Sequence, residues 1–76
     1  MATQTALSDL ARDLGLKLSI RTHQDGDVVV ELKRRKGDKK TIYRRGKKEE
    51  VFEFFMGVLT LLETYPDVLT IFRGEL

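Results

Sequence analysis

Residues 47–64 carry nine large apolar side chains, Val51, Phe52, Phe54, Phe55, Met56, Val58, Leu59, Leu61 and Leu62. Their spacing predicts a helix, but they do not fit on one side of it. Val51, Phe55, Val58 and Leu62 form one stripe, while Phe54, Leu61 and Tyr65 fall on another. Only Glu53, Gly57, Thr60 and Thr64 leave a narrow polar edge. A helix apolar nearly all round must be covered nearly all round. The rest of the 76-residue chain must therefore supply a sheet, further helices, or a second subunit to bury it. Glu49 and Glu50 suit the start of this helix, where negative charge is favoured. Tyr65-Pro66 ends it, because proline cannot continue the hydrogen-bond ladder.

The cover is legible upstream. Leu7, Leu10, Ala11 and Leu14 recur at three- and four-residue spacing, which predicts a short helix over 4–14. Thr3 or Thr5 can cap its start, and Gly15 stands where a left-handed residue closes a helix. From Leu16 the period changes to two. Leu16, Leu18 and Ile20 alternate with Lys17, Ser19 and Arg21, then Val28, Val30 and Leu32 alternate with Val29, Glu31, Lys33 and Arg35. The turn between them fixes the register. A two-residue Asp-Gly loop sets Leu18 against Lys33 and Ile20 against Glu31, mixing apolar and charged residues on each face. A three-residue loop, Gln24-Asp25-Gly26 with Gly26 left-handed, sets Leu18 against Leu32 and Ile20 against Val30. A one-residue slip inverts every side chain, so the apolar pattern selects the three-residue loop.

Lys36-Gly37-Asp38-Lys39 reads as a second turn and Lys40 to Arg45 as a third strand. With Ile42 turned inward beside Leu32, Tyr43 and Arg45 face outward; the opposite orientation of so short a strand stays open. The tail from Asp67 to Leu76, with Val68, Leu69, Ile71 and Phe72, is a strand or a short helix begun by Pro66 and Asp67. The expected fold is α+β, a single small domain over 1–76. It has a short N-terminal helix, a three-stranded antiparallel sheet, a long helix packed on the sheet's apolar face, and an apolar tail.

Charge is as unevenly distributed as hydrophobicity. The window 33–48 holds ten of the fourteen Lys and Arg residues and one acid, Asp38, so it carries +9. The remaining four basic residues and eleven acids leave −7 elsewhere, and the formal net charge of +2 conceals the contrast. A few lysines suffice to keep a sheet edge from pairing with other chains. Ten cations in sixteen residues exceed that need and indicate a polyanionic partner. The outward residues Lys17, Arg21, Lys33, Arg35 and Arg45, with Lys36, Lys39 and Lys40 in the turn and Lys47 and Lys48 at the helix start, are the candidate phosphate contacts. Tyr43, set among basic residues, is a candidate for stacking on a base or sugar.

No set of residues declares a reaction. His23 is the only histidine, and the chain has no cysteine, so thiolate metal sites and disulfides are excluded. Aligning Gly26 with the sixth position of a calcium loop puts Arg21, His23 and Leu32 where oxygen ligands belong. Gly46-Lys47-Lys48 lacks the upstream glycine and following Ser or Thr of a phosphate-binding P-loop. Glu49, Glu50 and Glu53 are explained by the start of a helix. No enzyme activity, metal or cofactor is expected. There is no apolar run of about 20 residues to span a bilayer and no signal-peptide pattern at the N-terminus. An intracellular, cytoplasmic protein with no membrane partner is expected.

Helix, three strands and helix, with Gly46-Lys47-Lys48 opening the second helix, resembles the double-stranded RNA-binding domain in element order over residues 4–64. That resemblance implies reading of duplex shape and phosphates through the second helix start and the first hairpin loop. Here the loop is acidic, with Asp25 and Asp27, and the helix carries Phe52, Phe54, Phe55 and Met56 where that family has alanines. The part from Leu16 to Leu62 is also similar to three-stranded-sheet DNA binders of the integrase-arm kind, which lay the sheet in the major groove. The expectation is a small nucleic-acid-binding protein acting as a homodimer through Phe54, Leu61 and Tyr65, since small domains often complete their burial by oligomerisation. The alternative is an assembly or regulatory module whose apolar helix and tail bind a partner protein, an acidic one being steered by the basic hairpin, with no nucleic-acid role.

Overall fold

The computed structural model describes residues 3–34 and 41–74. Its elements run α1 (Gln4–Asp13), β1 (Leu16–Thr22), β2 (Val28–Arg34), β3 (Thr41–Gly46), α2 (Lys48–Thr64) and α3 (Pro66–Arg73). The three strands form one antiparallel sheet in the order β1-β2-β3. This is the expected α+β architecture, and the tail resolves as a helix.

Local chemistry accounts for the boundaries. Thr3 caps α1, its Oγ1 accepting from the Ala6 N–H at 3.1 Å. Gly15 ends α1 at φ +72, and its N–H donates to the Arg12 carbonyl at 2.9 Å. Pro66 stops α2 and sits in the first turn of α3, a position that proline tolerates. Asp67 follows it, and Gly74 closes α3 with φ 73. These signals at both ends decide for a helix where periodicity alone left a strand open.

The β1–β2 register is Leu18 to Leu32 and Ile20 to Val30, as the three-residue loop requires. Gly26 has φ +90, and the His23 N–H closes the loop on the Asp27 carbonyl at 2.8 Å. Across β2–β3, Leu32 faces Ile42, so Ile42 points inward and Tyr43 and Arg45 outward. The turn expected at Lys36–Lys39 lies outside the described residues.

The core fills the space between one sheet face and the helices. Leu16, Val28, Val30 and Leu32 from the sheet meet Leu7, Ala11 and Leu14 from the α1 segment and Val51, Phe52, Phe55, Leu59 and Leu62 from α2. The buried face of α2 differs in one respect from the expected stripe. Leu59 and Phe52 are buried, and Val58 is only partly so. The cause is α1, which packs on α2 beside the sheet and draws the buried sector round toward Phe52 and Leu59. On α3, Leu69 and Phe72 pack against the same core. Phe54, Leu61 and Tyr65 are left exposed, together with Val68 and Ile71 of α3.

Candidate nucleic-acid interface

The outward face of the sheet is built by alternation. Successive side chains point to opposite faces, so the inward set Leu18, Leu32 and Ile42 forces Lys17, Arg21, Lys33, Tyr43 and Arg45 onto the other side. Register then arranges them in three cross-strand rows: Lys17, Lys33 and Thr41; Ser19, Glu31 and Tyr43; Arg21, Val29 and Arg45. Rows lie about 7 Å apart and neighbouring strands about 4.8 Å apart. Tyr43 is exposed in the middle row. Val29 has only 2% of its surface exposed although it points away from the helical core. Its cross-strand neighbours are Arg21 and Arg45, whose aliphatic stems are long enough to lie over it with their charged ends in water.

Acids reach part of this face. Arg45 Nη2 donates to Asp25 Oδ2 at 3.0 Å, and Arg45 Nε donates to Asp27 Oδ2 at 3.5 Å. Asp25 also accepts the Asp27 backbone N–H on Oδ1 at 3.0 Å. That backbone hydrogen bond, reinforced by Arg45 and opposed by desolvation, holds the Asp25 carboxyl below the usual aspartate range. Lys33 Nζ pairs with Glu31 at 3.5 Å. Among the described residues no ion pair includes Lys17 or Arg21. The face is therefore graded: its β1–β2 loop end is balanced by Asp25 and Asp27, and its opposite end, with Lys17 and Lys33, leads into residues 34–40.

The basic run does not form one cluster. β3 extends it along about 17 Å, from Thr41 opposite Lys33 to Gly46 opposite Val28. Lys47 and Lys48 thus stand at the far end from Lys33, exposed at the start of α2, with Lys48 Nζ 5.7 Å from the Phe52 ring centre. Arg44 alternates to the inner side, where its guanidinium lies 4.6 Å over the Phe54 ring. Arg35, Lys36, Lys39 and Lys40 lie outside the described residues. Of the sites expected from sequence, the structure gathers Lys17, Arg21, Lys33, Tyr43 and Arg45 on one face and sets Lys47 and Lys48 apart.

Three features escaped the sequence reading: the Asp25–Arg45–Asp27 clamp, the turn of Arg44 toward α2, and the burial of Val29. The clamp and the cover over Val29 depend on the β2–β3 register, while the turn of Arg44 follows from the inward Ile42 by alternation along β3. Once Arg45 is known to sit opposite Val29, its proximity to Asp27 follows. The connection at 35–40 is too long for a turn rule to supply that register.

His23 ends β1 beside the loop acids, half-buried. Among the described residues no three His, Asp or Glu side chains come together to hold a metal. Among them, too, no single helix is long and apolar enough to cross a membrane. The element order behind the resemblance to double-stranded RNA-binding domains is present, but the first hairpin loop turns its acids onto Arg45. No family model, no curated protein and no solved structure matches the chain.

Proposed function

We propose that this chain binds the phosphate backbone of nucleic acid through the outward sheet face and the basic segment that follows β2. The observation that carries this reading is the row Lys17–Lys33, one residue before the end of β2, which is followed in sequence by the six residues 35–40, four basic and one acid. Lys17 and Arg21 supply cations that, among the described residues, enter no ion pair. Lys33 adds a third on that face, the sequence supplies Arg35, Lys36, Lys39 and Lys40 as further cations, and Tyr43 offers a ring for a base or sugar. Arg45 contributes when its clamp opens, and Lys47 and Lys48 contact phosphates beyond the end of β3. The contacts are to backbone charge, which sets orientation and affinity without reading sequence.

The experiment is a polarisation titration with single- and double-stranded DNA and RNA, comparing the parent with a variant carrying Lys17→Gln, Arg21→Gln and Lys33→Gln. All three positions point away from the core, so the fold should be retained. Removing three of the ten candidate phosphate contacts lowers affinity by about ten- to a hundredfold at moderate salt, equally for unrelated sequences. No binding by the parent to any of the four contradicts the proposal, as does a variant that binds as the parent does.

A further inference from the structure

The exposed apolar residues of α2 and α3 form one band. Phe54, Val58, Leu61 and Tyr65 follow at intervals of four, three and four, which keeps them on one side of α2. The chain turns by 108° between α2 and α3, and Val68 and Ile71 are exposed on α3 beyond the Tyr65 end of this row, the Val68 N–H donating to the Tyr65 carbonyl at 3.0 Å. The exposed fractions are 37% for Phe54, 49% for Leu61, 54% for Tyr65, 41% for Val68 and 60% for Ile71. With about 150–250 Å² for a large side chain, these five expose on the order of 400–500 Å². A standard interface buries about 800 Å² per partner, somewhat over half of it apolar. The band is therefore the size of the apolar part of one such interface.

Its position restricts how a second copy can sit on it. At about 100° per residue the band is turned roughly a quarter-circle from the buried sector of α2. It faces sideways, on the flank of the β3 edge, because Arg44 of β3 lies over Phe54. A two-fold axis that brings two such bands together runs either along α2 or along the sheet normal. The first makes the helices parallel and sets Arg44 against Arg44 and Asp67 against Asp67. The second makes them antiparallel, with the Phe54 end of each band against the Tyr65–Val68 end of the other. Arg44 then meets Asp67 of the other copy. Charge favours the second.

We propose that a second copy of this chain covers the α2–α3 band, with the α2 helices antiparallel and the two outward sheet faces on the same side. The two cationic faces then form one platform, which doubles the phosphate contacts per particle. The platform's role rests on the nucleic-acid reading above; the dimer itself does not, so the two are measured apart.

Sedimentation equilibrium of the full chain without nucleic acid should give a dimer at micromolar concentration. Leu61→Glu and Ile71→Glu, each at an exposed position, should give monomers with unchanged circular dichroism. Arg44→Asp and Asp67→Arg should each weaken self-association about tenfold, and the double exchange should restore it. A parent that is monomeric at 100 μM, about a hundred times the working concentration, overturns the proposal. So does a Leu61→Glu chain that stays folded and dimeric, or a pair of charge exchanges that leaves association unchanged. If Leu61→Glu or Ile71→Glu unfolds, the charge exchanges decide. A monomeric parent that binds vesicles of anionic lipid assigns the band to a membrane surface and refutes the second copy. A dimer that binds no nucleic acid refutes the platform and leaves the interface standing.

Discussion

Gly26 shows how one residue sets a register. Its φ of +90 costs a side-chain-bearing residue about 1–2 kcal/mol, while nothing within 4 Å would meet an added methyl group. Gly26→Ala should therefore lower stability by about that amount through backbone strain alone, read as a fall in the urea midpoint with unchanged slope. Phe55 is fully buried, and Phe55→Ala should cost about 3–5 kcal/mol. A domain of this size has roughly 4–11 kcal/mol in all, so that variant should be partly or wholly unfolded at 37 °C, judged by its thermal melt. Asp25 behaves differently because its contribution depends on pH. Its carboxyl is held below the usual aspartate range in the folded state, chiefly by the Asp27 backbone hydrogen bond. The stabilisation is thus present above the unfolded value and fades as pH falls through the lower folded one. Thermal melts of the parent and Asp25→Asn should differ at neutral pH and converge only as pH falls through the lowered value of the folded carboxyl. The same substitution combined with Asp27→Asn releases Arg45 and removes two negative charges from the sheet face. Affinity for nucleic acid should then rise a few-fold.

At the level of elements, what the sequence could disclose follows the strength of each physical rule. The β1–β2 register was legible because apolar alternation and a three-residue loop gave the same answer, and the wrong register placed Lys33 and Glu31 in the core. The bounds of α1 were legible because Thr3 and Gly15 act locally. The buried face of α2 was only partly legible. Nine apolar residues leave several stripes possible, and the packing of α1, a tertiary contact, chose Leu59 over Val58. The tail was legible only as apolar; Pro66, Asp67 and Gly74 made it a helix, and its contact with the core separates Leu69 and Phe72 from Val68 and Ile71. β3 was the least legible. Its inward turn of Ile42 could be argued from the neighbouring Leu32, but not the pairing of Arg45 with the loop acids. That contact spans eighteen residues of sequence.

For the whole molecule, the division of charge read from sequence becomes a division of surfaces in space. Among the described residues Lys17, Arg21, Lys33 and Arg45 share the outward sheet face and Lys47 and Lys48 stand beyond the Gly46 end of β3, while the exposed apolar residues lie on α2 and α3. The electrostatic surface is less concentrated than a +9 window suggests, since Arg45 and Lys33 have acidic neighbours and Arg44 turns to the other side. What remains is a small number of mobile-ion-displacing contacts, and that number is measurable. A titration of duplex DNA at several salt concentrations gives it as the slope of log affinity against log salt. With about half of the ten candidate cations each neutralising a phosphate, one chain gives a slope of about −4 to −5, and a two-chain platform gives about twice that. A slope near zero would contradict an electrostatic origin of binding.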